Sequence, residues 1–291
     1  MQENTLSIKG VEWRYATGGR GRETILLLHD AFGGGETMQP LADAFAGEYR
    51  VVAPTVADVR TLDEVCDALS AILDREHVAR AHVFGGHFGA VVAQAFLKRR
   101  PRQVENVVLL GAQAPERAAG ERERKTLKLM RLLPFRLTRA QLRLDTLRHF
   151  DVQPETDARV FEFKRQLEDY FDRMLTKETL LARVALGVDF NCNEVYNSDG
   201  PDLWAGRALI VESGDDHSAT PNARRRLRET YPRSLVCTLA GAGRLMPFLM
   251  LEELTEVVRA FLKEDYKSPS DLESCLTDEC RDDEPPVSSG E

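Results

Sequence analysis

The sequence predicts an α/β fold built on a mostly parallel, doubly wound sheet, on three observations. Short continuous apolar runs such as Ile25–Leu28 and Val104–Leu110 read as strands buried on both faces. They alternate with segments whose apolar residues recur at helical spacing, as in Leu62–Leu73. From Gln113 to about Asn193 the pattern is helical throughout, so the alternation is interrupted by one helical insertion before it resumes.

Taken in order, Leu6–Tyr15 alternates in strand fashion and predicts an opening hairpin, with Gly18, Gly19 and Gly21 as turn signals. Ile25–Leu28 is the first buried strand. The turn Gly33-Gly34-Gly35 and an amphipathic helix over Met38–Phe45 follow it. Arg50–Pro54 is the next strand and Leu62–Leu73 the next helix, with Val65, Leu69, Ile72 and Leu73 on one face. Strand Ala81–Phe84, helix Ala90–Arg100 and strand Val104–Leu110 complete the first block. After the insertion come strand Ala208–Glu212, helix Asn222–Tyr231, strand Leu235–Leu239 and helix Glu252–Leu262. The expected organisation is a core of residues 1–112 and 194–263, a helical cap at 113–193 and an acidic tail at 264–291.

With 291 residues and a net charge of −8, the chain suits one α/β domain with an insertion and disfavours nucleic-acid binding. The charge is unevenly placed. Glu264–Glu291 carries ten acids and two bases, with little apolar surface to order it. Arg117–Arg148 carries ten bases and three acids. The Lys125–Leu133 stretch sets leucines among lysines and arginine, which suits a wet cap helix or a surface for an anionic membrane or acidic partner. The acidic tail is itself a candidate for that surface. The five scattered cysteines form no CxxC and imply reduced thiols. No signal pattern opens the chain and no apolar run is long enough to span a bilayer, so a cytoplasmic protein is expected.

The most informative motif is Gly85-Gly86-His87-Phe88-Gly89, between a strand and a helix. This is the context of the nucleophile elbow Gly-x-Ser-x-Gly, whose glycines permit a turn too tight for flanking side chains. Together with the element order it predicts an α/β-hydrolase fold with a cap. At the nucleophile position, however, stands His87. The oxyanion loop is His29-Asp30-Ala31-Phe32-Gly33, with Asp30 where glycine is usual. A carboxylate there opposes a developing oxyanion. The backbone N–H of Phe88 is the expected second oxyanion donor.

The acid position falls in Gly214-Asp215-Asp216-His217-Ser218, where Asp215 or Asp216 supplies a carboxylate; Asp216 is assigned. Turn and capping roles account for these aspartates equally well, with Thr220 ahead of Pro221 as the cap. The base position is Gly241-Ala242-Gly243-Arg244. Arginine stays cationic and cannot accept a proton. Imidazole and carboxylate at His29, Asp30, His87, Asp216 and His217 suit a transition metal by chemistry alone, but no His-x-His pair supports one, and neither metal nor cofactor is assigned. Arg244, His87 and the Phe88 N–H also make a candidate pocket for a small acid.

The stretch Val83-Phe84-Gly85-Gly86-His87-Phe88-Gly89 with Ala93, Gln94 and Phe96 resembles the elbow of the maspardin family of α/β-hydrolase-fold proteins. Asp216-His217-Ser218-Ala219 with Tyr231-Pro232, Met246-Pro247-Phe248-Leu249 and Phe190-Asn191-Cys192 are also similar. The resemblance implies a non-catalytic, cytosolic and endosome-associated protein that works by binding a partner. The chain departs from that family at His87, where the family keeps serine. The expected function is therefore binding, with a protein or a small acid as partner. The alternative is an active esterase-, lipase- or peptidase-type hydrolase with unconventional site residues.

Overall fold

The computed structural model describes residues 1–148, 158–194, 204–214, 216, 220–239, 243 and 246–264. The acidic tail beyond Glu264 lies outside the described residues, as do Asp215, His217 and Arg244.

Eight strands form one sheet in the order β1-β2-β4-β3-β5-β6-β7-β8. Strands β1 (Gln2–Ile8) and β2 (Val11–Gly19) make an antiparallel hairpin whose edge joins the sheet antiparallel to β4. The hairpin turns at Lys9 and Gly10, both with positive φ (51° and 82°), and not at the later glycines that the sequence suggested. Two left-handed residues in succession match the twist that a tight hairpin requires.

Strands β3 (Thr24–Leu28), β4 (Arg50–Pro54), β5 (Ala81–Gly86), β6 (Val104–Leu110), β7 (Ala208–Ser213) and β8 (Leu235–Leu239) run parallel. Their apolar runs divide by alternation between two cores. Leu26, Leu28, Val83, Val107 and Leu109 face one core; Ile25, Leu27, Phe84, Val108 and Leu110 face the other. Helices cover both faces, as a sheet buried on both sides demands.

In the core, α1 (Gln39–Phe45) follows a 3-10 turn at Gly35–Met38. Helix α2 (Leu62–Arg75) begins with a capping box between Thr61 and Glu64. Helix α3 (Phe88–Arg99) follows β5 directly. Between β6 and β7 lie α4 (Arg117–Leu132), α5 (Phe135–Leu147), α6 (Ala158–Asp169), a π-helical turn at Tyr170–Met174, and α7 (Lys177–Asn193). After β7 come α8 (Pro221–Thr230), the short α9 (Met246–Leu249) and α10 (Leu251–Lys263). Thr220 caps α8, its Oγ1 accepting the Ala223 N–H at 3.2 Å.

The insertion is tied to the core at several points. Phe32, from the loop after β3, packs into both small apolar clusters of the insertion, its ring 5.1 Å from that of Phe171. Phe163 of α6 stacks on Phe248 of α9 at 3.6 Å between centroids. At the end of α7, the buried carboxylate of Glu194 holds Lys98 and Arg99 of α3 at 2.8 and 2.6 Å. Asp189 of α7 accepts the Leu62 N–H at 2.8 Å, capping α2 from outside.

Candidate active site

Strand order reverses between β3 and β5, because the chain leaves β3 for β4 on one side and returns to β5 on the other. Ligand sites in open α/β sheets lie at such a switch point, beyond the carboxyl ends of the strands. The loops after β3 and β5 meet here, and they carry the oxyanion loop and the elbow.

The elbow has the strained geometry that its glycines predict. His87 sits at φ 48°, ψ −104°, outside the regions a side-chain-bearing residue prefers. A Cβ on Gly89 would stand 2.2 Å from the Leu28 carbonyl oxygen, and one on Gly85 would stand 2.3 Å from that of Gly89. Helix and strand approach so closely that only glycine fits at either place. The His87 N–H bonds the Leu110 carbonyl at 2.9 Å, and the imidazole lies over Gly111, where a Cβ would meet Cε1 at 2.5 Å.

Asp30 decides the electrostatics of the site. Its Oδ1 accepts the Ala31 N–H at 2.7 Å and the Phe88 N–H at 3.3 Å. In this fold the amide after the elbow residue and an amide of the loop after the β3 strand serve as oxyanion donors. The Asp30 carboxylate therefore bridges an amide of the loop after β3 and the amide after the elbow residue. The Phe88 donor expected from the sequence is present, but it is engaged.

His29 does not join the site. It is fully buried, its Nδ1 is 2.6 Å from the Asp30 carbonyl oxygen, and its Nε2 accepts the Val56 N–H at 2.9 Å. An acceptor at Nε2 places the proton on Nδ1, so both ring nitrogens are used. Burial, and secondarily the Arg183 guanidinium, push its pKa down to about 3. His29 is thus a neutral strut of the β3 loop and does not line the cavity above the elbow.

Arg183, which the sequence did not single out, clamps the site from the cap. Its guanidinium donates to the carbonyls of Val56 and Ala57 and lies 5.4 Å from the Phe88 ring centroid. It is buried, and desolvation lowers its pKa. Nothing local in α7 marks this residue, because its hydrogen-bond partners lie more than a hundred positions away.

Above the elbow is a cavity of about 410 Å³. Phe32, Leu41, Phe84, Leu142, Leu167 and Phe248 give it apolar walls from core, cap and α9. Its polar lining includes Asp30, His87, Asp145 and Thr146, and no lysine or arginine among the described residues. Ala31 lines it too, whereas Asp216 does not. Asp216 is buried, and its carbonyl accepts from the Arg224 guanidinium at 2.8 Å. His217 and Arg244 lie outside the described residues. Among the described residues no group of three His, Cys, Asp or Glu could hold a metal ion, and no helix is long and apolar enough to cross a membrane.

The sheet order, the elbow and the cap define an α/β-hydrolase-fold protein. A family model described as the thioesterase domain matches residues 23–188, more than half of the chain, and the protein belongs to that family. The chain is 33% identical over 107 residues to a 2-hydroxy-6-oxononadienedioate/2-hydroxy-6-oxononatrienedioate hydrolase of Pseudomonas putida, a match covering 32% of this chain and 37% of that protein. It spans about a third of the length of the curated relatives it matches. Among solved structures it is similar to an α/β hydrolase from a Medee basin deep-sea metagenome library, with a TM-score of 0.71 at 15% identity over 91% of this chain and 100% of that one. It is also similar to an esterase from Thermogutta terrifontis, with a TM-score of 0.69 at 16% identity over 91% and 99%. These structural likenesses show the fold.

Proposed function

We propose that this member of the thioesterase-domain family binds a small, largely apolar ligand in the cavity above His87 and does not hydrolyse it. The observation that carries the proposal is the bridging of the Ala31 and Phe88 amides by the Asp30 carboxylate. Losing a single oxyanion donor costs roughly a hundred- to a thousandfold in rate. Here both amides already donate to one carboxylate oxygen, which an incoming oxyanion would have to displace. His87 replaces the hydroxyl nucleophile, and Arg244 at the base position of the sequence cannot take up a proton. The family match and the relatives named above are not to maspardin, so the non-catalytic character rests on these residues alone.

The lining also selects the ligand. Asp30 and Asp145 bring carboxylates to a largely apolar lining that includes no lysine or arginine among the described residues, although Arg148 pairs with Asp145 at 3.6 Å from outside it, and this lining disfavours the small acid expected from Arg244 and His87. The cavity suits a ligand with an apolar body and a hydrogen-bond-donating or cationic head. Thermal-shift and calorimetric titration with octylamine, octanol and octanoate test this directly. Stabilisation in the order amine, alcohol, acid supports the proposal, and stabilisation by the acid alone overturns it.

A second reading is hydrolysis by unconventional residues, favoured by membership of the thioesterase-domain family and by similarity to a hydrolase of Pseudomonas putida. It requires Asp30 to leave the two amides and His87 to act as nucleophile or base. Turnover of a thioester or ester that disappears in His87→Ala would establish it over the binding proposal.

A further inference from the structure

We propose that the outer face of the cap docks on an anionic membrane surface through α4 and α5. Helix α4 packs its inner side, including Gly120 and Leu127, toward α7 and the core. Its opposite face carries Lys125, Lys128, Leu129 and Leu132, the i, i+3, i+4, i+7 spacing that groups residues on one side of a helix. Leu129 and Leu132 are 55% and 84% exposed. Helix α5 turns Leu142 and Thr146 to the cavity and leaves Leu137 and Leu144 outside, 63% and 54% exposed, beside the exposed Arg136.

No carboxylate among the described residues pairs with Lys125, Lys128, Arg131 or Arg136, although ion pairs are common elsewhere on the surface. Leucines standing out of a helix between unpaired cations match an interfacial lipid site, where the apolar side chains enter the headgroup region and the cations meet anionic lipid. The acidic tail is the less favoured occupant. Glu264, where it begins, pairs with Arg207 at 3.1 Å, and Arg207 stands just before the amino-terminal end of β7, whereas the cavity lies beyond the carboxyl ends of the strands. The tail also has few apolar residues to cover four leucines.

Vesicle co-sedimentation of the full chain tests the proposal, with phosphatidylcholine alone or mixed with phosphatidylserine. Binding is expected only to the mixed vesicles and is expected to fall with added salt. The charge-reversed variant K125E/K128E should bind about tenfold more weakly or less. The variant L129S/L132S, altered only at exposed positions, should also lose binding while keeping its circular dichroism spectrum. Equal binding to both vesicle types, or unchanged binding by either variant, overturns the proposal. So does binding by a chain ending at Glu264 when the full chain does not bind, because the tail would then be the occupant.

Discussion

The Asp30 carboxylate and the Phe88 backbone amide are 3.3 Å apart, and the same oxygen holds the Ala31 amide at 2.7 Å. In the binding function we propose, this side chain fills the position that the fold reserves for the negatively charged oxygen of an acyl-transfer intermediate. The glycines of the elbow and the strain at His87 are retained around it, so the frame persists while the place for charge is taken.

Removing the carboxylate should vacate the two amides. In Asp30→Gly the cavity is expected to gain affinity for small carboxylates such as butyrate, by about tenfold or more, because a charge-assisted partner is then missing from both donors. Global stability should fall by about 1.5–3 kcal/mol, the usual magnitude for losing hydrogen bonds to a charged group. Titration calorimetry with butyrate checks the first effect, and urea denaturation the second.

The pH dependence of stability should carry the signature of His29. The folded chain keeps this imidazole neutral, with a pKa near 3, whereas the ordinary value is 6.5. Above 6.5 neither state binds the proton, and its contribution is complete. Between 6.5 and 3 the unfolded chain binds more protons than the folded one, so stability falls as pH drops. His82, also lowered by burial, acts in the same direction. Denaturation curves of the wild type should therefore steepen on acidification relative to His29→Gln, by up to about 1.4 kcal/mol per pH unit. Parallel pH profiles for the two proteins would contradict this.

The elbow glycines should differ in tolerance. Gly89→Ala drives a methyl group to 2.2 Å from the Leu28 carbonyl and is expected to destabilise by about 3 kcal/mol or more. Gly86→Ala meets only Leu110 at 3.5 Å and should change stability by at most about 1 kcal/mol. Thermal denaturation of the two variants, side by side, reads the contrast.

Arg183 should couple the cap to the elbow. Arg183→Met keeps an apolar contact on Phe88 but leaves the Val56 and Ala57 carbonyls without their charged donor. A loss of about 2 kcal/mol is expected. Faster hydrogen exchange at the amides of Phe88 and Gly89 should accompany it. Unchanged exchange there would show that the clamp does not reach the elbow.

Much of this fold is legible in the sequence because its strands are buried on both faces. Arg50–Pro54, Val104–Leu110 and Leu235–Leu239 form over the residues that their apolar runs mark. The hairpin was harder to place, because its turn depends on backbone conformation at Lys9 and Gly10 rather than on a run of glycines. At the site, the elbow at His87 and a carboxylate near the oxyanion loop can be read directly. That Asp30 turns onto both amides cannot, since it depends on a side-chain rotamer and on the approach of two loops 58 positions apart. For the same reason His29 reads as a pocket residue in sequence, although its nitrogens are both engaged in the loop. Arg183, Phe163 and Phe248 matter through contacts that cross from cap to core, for which local periodicity carries no signal.

The most direct measurement is turnover of a panel of acyl thioesters and p-nitrophenyl esters by the pure, intact protein, beside His87→Ala. With Asp30 on both amides, release of thiol or phenolate is expected to equal the buffer rate for both proteins. Sustained turnover by the wild type that vanishes in His87→Ala would contradict a carboxylate-filled, non-hydrolytic site.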